Sequence, residues 1–346
     1  MIPIKNVYYM LTYAFQVLNE QGYKNVATEK FENIADLYAA ILIKGITIQL
    51  KRGLGKDSIT RTETLSYLHG RIDFSESVKS RVMRNRRLVC TYDEISVNSY
   101  MNRIIKTTLS LLLRTDISKS RKKEIRKLML FFGDIDLLEI HSINWKLHFN
   151  RNNQTYLMLI SICHLVVTGF LQSTSEGVTR LMDFMDEQSM YHLYEKFILE
   201  YYRKEFPRIS ANSSYIQWQL DNEMREMLPI MQTDVMLTYG DKTLIIDAKY
   251  YSKTMREQFG VRTLNSNNLY QIFTYVKNKH VELLNQSHLV SGMLLYAKTD
   301  ESIYPDYEYQ MSGNKISVKT LDLNCDFLTT KAQLNQIIAD HFGEIK

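Results

Sequence analysis

Apolar side chains recur at helical spacing in NVYYMLTYAFQVL (6–18), FENIADLYAAILIKGITIQL (31–50) and MNRIIKTTLSLLL (101–113), which predicts helices over all three. Between them GRIDFSESV (70–78) and RRLVCTYDEI (86–95) alternate in part and predict strands. LMLISICHLVVTGFL (157–171) is continuously apolar but falls short of the roughly 18 residues of a membrane span and contains His164, so it reads as a core helix. Periodicity lapses over TSEGVTRLMDFMDEQSM (174–190), where acidic residues gather; a domain boundary is expected there, dividing the chain into 1–180 and 181–346.

Beyond that point SMYHLYEKFILEYYRKEF (189–206) has Leu193, Phe197 and Ile198 on one helical side and is stopped by Pro207. An extended SYIQWQL follows, then TDVMLTYGDKTLIIDAKYY (233–251), a polar loop, a helix NNLYQIFTYVKNK (267–279) and a strand SGMLLYA (291–297). Helix, strand, hairpin, helix, strand is the order of a mixed α/β (α+β) core of about 160 residues.

The stretch 233–251 carries the chemistry. Gly240-Asp241 is a two-residue hairpin loop of the type that places glycine first. Facing residues then have numbers that sum to a constant, so Val235 faces Ile246, Leu237 faces Leu244, and Asp234 faces Asp247. Like charges at directly opposed positions, about 4.5–5.5 Å apart at Cβ, are destabilising. A bound divalent cation removes the conflict. Side chains alternate along a strand, so Lys249 points to the face of Asp247. Magnesium is held by only one or two protein carboxylates together with phosphate oxygens. Two carboxylates and a lysine on one face therefore predict metal-assisted hydrolysis of a phosphodiester. The bland alternative is a structural ion pair at the end of a core strand. The tripeptide alone means little, because Glu344-Ile345-Lys346 matches it at the C-terminal end.

Two helices bear on this site. Gln271 and Tyr275 lie four apart and share a face, while Leu269, Ile272, Phe273 and Val276 form the buried side. Glu195 and Glu200 are candidates for a further carboxylate near the metal, but they cannot share a face, and surface charge is the alternative for each.

Composition narrows the function classes. At 346 residues two domains are expected. A content of 45% apolar and 23% charged residues is that of a globular chain. Cys90, Cys163 and Cys325 are widely spaced and odd in number, which favours a reduced, cytoplasmic setting over a disulfide framework or zinc knuckle. The start of the chain lacks the features of a signal peptide, and no membrane association is expected. The net charge of +5 concentrates in SRVMRNRRL (80–88) and KSRKKEIRK (119–127), runs that serve as solvated helix faces or as phosphate contacts. RGLGKDS (52–58) lacks the glycine and Ser/Thr spacing of a phosphate-binding loop and reads as a basic turn, so nucleotide hydrolysis by this chain alone is not expected.

Asp234, Asp247-Ala248-Lys249, Gln271 and Tyr275 together resemble the PD-(D/E)xK nuclease superfamily with the Gln-x-x-x-Tyr element of its RecB-like members. IPIKNVYYMLTYAF (2–15), HGRIDF (69–74), NRIIKTTLSLLL (102–113), LYEKF (193–197), LPIMQTDV (228–235), LIIDAKYY (244–251) and NSNNLYQIFTYV (265–276) are similar, in that order, to the McrC family, the nuclease subunits of McrBC modification-dependent restriction systems. The resemblance implies a restriction-endonuclease-like mixed sheet flanked by helices in 181–346, and a helical and stranded N-terminal domain that contacts a McrB-like AAA+ GTPase ring, and possibly DNA. It implies that Asp234, Asp247 and the backbone carbonyl of Ala248 hold Mg2+, that Lys249 assists the attacking water, and that Gln271 and Tyr275 belong to the site. Glu195 stands where the superfamily often has an auxiliary glutamate. The implied substrate is double-stranded DNA containing methylcytosine, which the partner recognises and this chain cuts, stimulating the partner's GTP hydrolysis. The alternatives are a stand-alone RecB-like repair nuclease, a non-catalytic adaptor of an AAA+ motor, and a simple DNA-binding module.

Overall fold

A computed structural model describes residues 2–19, 23, 26–149, 154–175, 187–222, 224–250, 255–258, 261–298 and 305–345. In chain order the helices are α1 (Ile4–Ala14), α2 (Ile34–Arg52), α3 (Phe74–Lys79), α4 (Tyr100–Leu112), α5 (Lys119–Met129), α6 (Gln154–Ser175), α7 (Glu187–Glu205), α8 (Ser266–Glu282) and α9 (Phe327–Phe342). The strands are β1 (Asp57–Leu65), β2 (Arg71–Ile72), β3 (Leu88–Ser96), β4 (Ser210–Asn212), β5 (Tyr215–Ile216), β6 (Met231–Gln232), β7 (Val235–Tyr239), β8 (Lys242–Lys249), β9 (Met255–Gln258), β10 (Val261–Leu264), β11 (Leu289–Ala297), β12 (Tyr307–Met311) and β13 (Asn314–Leu321). No helix among the described residues is long and apolar enough to cross a membrane.

The chain divides into two compact units. One gathers Met1–Phe31 with Asp183–Lys346; the other is Glu32–Met182. The expected division into 1–180 and 181–346 differs from this partition in the first 31 residues, and most of the expected boundary segment (176–186) lies outside the described residues. The reason is the aromatic face of α1. Tyr9 stacks on Phe327 at 4.5 Å, and Tyr13 meets Phe197 edge-on at 5.7 Å. Asn6 Nδ2 donates to the carbonyls of Leu323 at 2.8 Å and Cys325 at 2.7 Å, which ties the start of the chain to the loop before α9.

The unit Glu32–Met182 packs α2, α4, α5 and α6 together and carries a three-stranded sheet in the order β1-β3-β2. The strand expected over 70–78 ends after Ile72. Asp73 accepts from the Glu76 N–H at 2.9 Å and starts α3, because Asp followed three residues later by Glu is a helix N-terminal signal. The expected basic turn at 52–58 holds Gly53 at φ +91° as the C-cap of α2, and β1 follows at Asp57.

The other unit is built on a six-stranded mixed sheet in the order β12-β13-β11-β8-β7-β4. β11 runs parallel to both β8 and β13, and the remaining pairs are antiparallel. β8 is therefore an inner strand, and from Thr243 to Lys249 every residue is buried. That explains its uninterrupted apolar run, since a strand covered on both faces has no reason to alternate. α8 covers one face, packing Ile272, Tyr275 and Val276 against Ile245, Val290 and Leu294. Gly292 permits this close approach: a Cβ there would meet Val276 Cγ2 at 2.7 Å and Ile272 Cγ1 at 2.8 Å. The expected polar loop after β8 includes the small β9–β10 hairpin.

Candidate active site

The β7–β8 hairpin has the register expected from the turn. Val235 pairs with Ile246, Met236 with Ile245, Leu237 with Leu244 and Tyr239 with Lys242. Gly240 takes φ +60°, the left-handed backbone that the first loop position requires. One step beyond the paired residues, Asp234 comes to the end of β8, where its Oδ2 accepts the Ala248 N–H at 2.8 Å.

Magnitudes show why the hairpin tolerates its two acids. Opposed carboxylates at about 5 Å repel by about 3 kcal/mol at an effective dielectric of about 20. Burying Leu244, Ile245 and Ile246 contributes about 1.5–3 kcal/mol each, which is enough to hold the register against that repulsion.

Lys249 is the organising cation. Its Nζ donates to Asp247 Oδ1 at 2.9 Å, with only 5% and 1% of the two side chains exposed. It also donates to Gln271 Oε1 at 3.4 Å and Tyr191 Oη at 3.4 Å, and it lies 5.5 Å from the centre of the Tyr191 ring. Gln271 Nε2 in turn donates to Tyr275 Oη at 3.0 Å. β8, α7 and α8 thus meet at one ammonium group, and Gln271 and Tyr275 act as a linked pair on it. Tyr191 has no signal in the strand pattern; its one sequence cue is its place a helical turn before Glu195.

Both acids resist ionisation. Burial, then the charges of Asp247 and Glu195, push the Asp234 carboxyl up to about 8, against the pull of Lys249 and the Ala248 N–H. Burial also raises the Asp247 carboxyl, and the Lys249 ammonium opposes it. With both carboxyls ionised, Asp247 Oδ2 is buried and meets no donor among the described residues, an arrangement that costs free energy unless a ligand, or a proton shared with Asp234, completes it.

Next to Asp234 lies a cleft of about 320 Å³ lined by His192, Glu195, Lys196, Ser213, Gln232 and Thr233 among others. Glu195 Oε2 is 3.4 Å from His192 Nδ1, and burial, the Asp234 charge and then Glu195 raise the Tyr191 phenol. Glu200 instead pairs with Arg203 at 2.7 Å, whose Nε donates to the Ala211 carbonyl at 2.9 Å. Of the two candidate glutamates, Glu195 faces the cleft and Glu200 braces β4.

The donor set suits a hard cation. Asp234 and Asp247 bring carboxylate oxygens to one place, one of them orphaned, and magnesium takes only one or two protein carboxylates. Among the described residues no three His, Cys, Asp or Glu side chains are grouped closely enough to hold a metal ion, and the Glu195 charge is still felt by both Asp234 and Asp247.

A profile of the McrBC 5-methylcytosine restriction system component matches residues 4–297. The chain belongs to that family. A curated McrBC relative, the type IV methyl-directed restriction enzyme EcoKMcrBC of Escherichia coli (strain K12), is 29% identical over 346 residues, covering 98% of each chain. Among solved structures, a half-complex from the tetradecameric assembly of Thermococcus gammatolerans McrB AAA+ hexamers with bound McrC aligns with a TM-score of 0.46 at 16% identity, covering 95% of this chain and 77% of that one. The T. gammatolerans McrBC complex aligns with a TM-score of 0.43 at 17% identity, covering 58% of each chain. The matched span of this McrBC-family chain takes in both units, including the hairpin, Gln271 and Tyr275.

Proposed function

We propose that the chain is the DNA-cutting subunit of a McrBC-type restriction complex, hydrolysing phosphodiesters with magnesium at Asp234, Asp247 and Lys249. The observation that carries this reading is the buried, unpartnered Oδ2 of Asp247 opposite Asp234, beside a lysine held by three separate elements. A structural Asp247–Lys249 ion pair needs no second buried acid beside it, and Asp234 is one. The ion would be held by Asp234, Asp247 and the Ala248 carbonyl, and when bound it supplies Lewis-acid polarisation of the phosphodiester.

The chain's own groups do the rest. Asp247 Oδ1 anchors the Lys249 ammonium in a buried place. Gln271 and Tyr191 fix its direction, so that it stabilises negative charge developing on the phosphoryl oxygens at little cost in reorganisation. Tyr275 sets the rotamer of Gln271 through their hydrogen bond. Glu195, which lines the same cleft as Asp234, is the auxiliary acid near the ion.

Family membership supports the division of labour: the partner is a McrB-like AAA+ GTPase ring that selects DNA containing methylcytosine, and contact with this chain stimulates its GTP hydrolysis. Three free thiols suit a reduced, cytoplasmic setting. Cleavage of methylated duplex DNA by the complex, assayed with and without magnesium, GTP and the motor, tests the reading. Cutting that needs all three supports it; no cutting under any combination overturns it.

A further inference from the structure

Two lysines stand at the site, and their surroundings differ. The Lys249 ammonium has three donors and, among the described residues, finds acceptors in Asp247, Gln271 and Tyr191. Lys196, half-buried on α7, lines the same cleft as Asp234, yet among the described residues its Nζ has no hydrogen-bond acceptor and no ion-pair partner. Its recorded neighbour is the Phe15 ring, whose centre lies 4.0 Å from Nζ. The nearby carboxylate of Glu200 is committed to Arg203. A cation–π contact leaves the ammonium protons without hydrogen-bond acceptors. A half-desolvated ammonium held by an aromatic ring on one side, and facing a polar cleft on the other, is placed for an anion that enters from outside.

The chemistry of the cleft names the anion. His192, Glu195, Lys196 and Leu199 form a stripe of α7 at helical spacing, opposite Ser213, Gln232 and Thr233. Gln232 Nε2 donates to Ser213 Oγ at 3.0 Å, which makes that wall one of neutral polar groups. Lys249 is already committed beside Asp247, so Lys196 is the lysine of the cleft with donors to give.

We propose that Lys196 binds a DNA backbone phosphate that flanks the one cleaved at Asp234 and Asp247. The inference rests on the nuclease reading and adds to it a second contact that sets the register of the strand in the cleft. Phe15 holds the ammonium in place through α1, which gives the first 15 residues a part in substrate placement.

The test uses the full-length chain carrying Asp247→Asn, a short blunt DNA duplex and magnesium, with affinity measured at several salt concentrations. Each phosphate contact contributes about 0.9 to the slope of log K against log salt. Adding Lys196→Met, which keeps an apolar stem over Phe15, lowers the slope by about 0.9, and Lys196→Arg restores it. In a second measurement, a duplex with one uncharged methylphosphonate beside the cleavage position shows the same loss with Lys196 present and no loss with Lys196→Met. An unchanged slope in Lys196→Met, or a methylphosphonate effect that persists without Lys196, overturns the proposal. Cleavage by the unsubstituted chain with its motor and GTP is scored separately: if it cuts while Lys196→Met binds with an unchanged slope, the subsite falls and the nuclease reading stands.

Discussion

Asp234 and Asp247 each raise the cost of ionising the other, and that conflict has measurable consequences. Asp234→Asn keeps an oxygen to accept the Ala248 N–H but removes the carboxyl whose ionisation burial opposes. In EDTA it stabilises the unit by about 1–3 kcal/mol, as replacement of poorly compensated buried charge does, and raises its Tm by several degrees. Added magnesium is expected to stabilise the unsubstituted chain and to do little for the variant; a lower Tm in EDTA contradicts the account. The sign with pH follows from the raised acids. Between an unfolded value of 3.8 and a folded value of about 8 for Asp234, the folded chain holds more protons than the unfolded one. Metal-free stability therefore falls as pH rises through that window, and denaturant titrations in EDTA across it read the slope directly. Magnesium bound at the proposed site would flatten the dependence by favouring the ionised pair. At this scale the sequence was informative where geometry is local: strand parity and the Gly240-Asp241 turn place Asp234, Asp247 and Lys249. Tyr191 stayed hidden because its contact with Lys249 depends on how α7 packs, which no local pattern encodes.

The elements around the hairpin explain how the lysine is held. α8 brings Gln271 to Lys249 because Gly292 lets it sit close on β11. Gly292→Val pushes side chains into Ile272 and Val276, costing about 1–3 kcal/mol by overpacking, and it slackens the Gln271 contact. Thermal melts and cleavage rates should both fall, with the rate falling more steeply than in an equally destabilised variant elsewhere on the sheet. Equal effects would show that α8 is only a cover. The amphipathic helices α1, α2, α4, α7 and α8 were legible from their periodicity. The strand expected at 70–78 was not, since a helix signal at Asp73 and Glu76 competes with its alternation. Nor were β1, whose residues are mostly polar, or the order in which β13, β11 and β8 pair, which is set by long-range packing.

For the whole molecule, the informative feature is that the first 31 residues belong with the C-terminal unit. Without α1, the rings of Phe197, Tyr201 and Phe327 lose the Tyr9 and Tyr13 rings that pack on them. A fragment of 183–346 made alone should aggregate, and co-expression with 1–31 should rescue it; a soluble, equally stable 183–346 would contradict that assignment. A boundary drawn from the lapse in periodicity near 180 misses this return, because nothing in a sequence pattern says which distant face a helix will cover. The central claim, that the hairpin acids form a nuclease centre separable from partner stimulation, is tested most directly by Asp247→Ala in the assembled complex. With motor, GTP, magnesium and methylated DNA, the account predicts that cleavage is abolished while GTP hydrolysis is still stimulated; retained cleavage would contradict it.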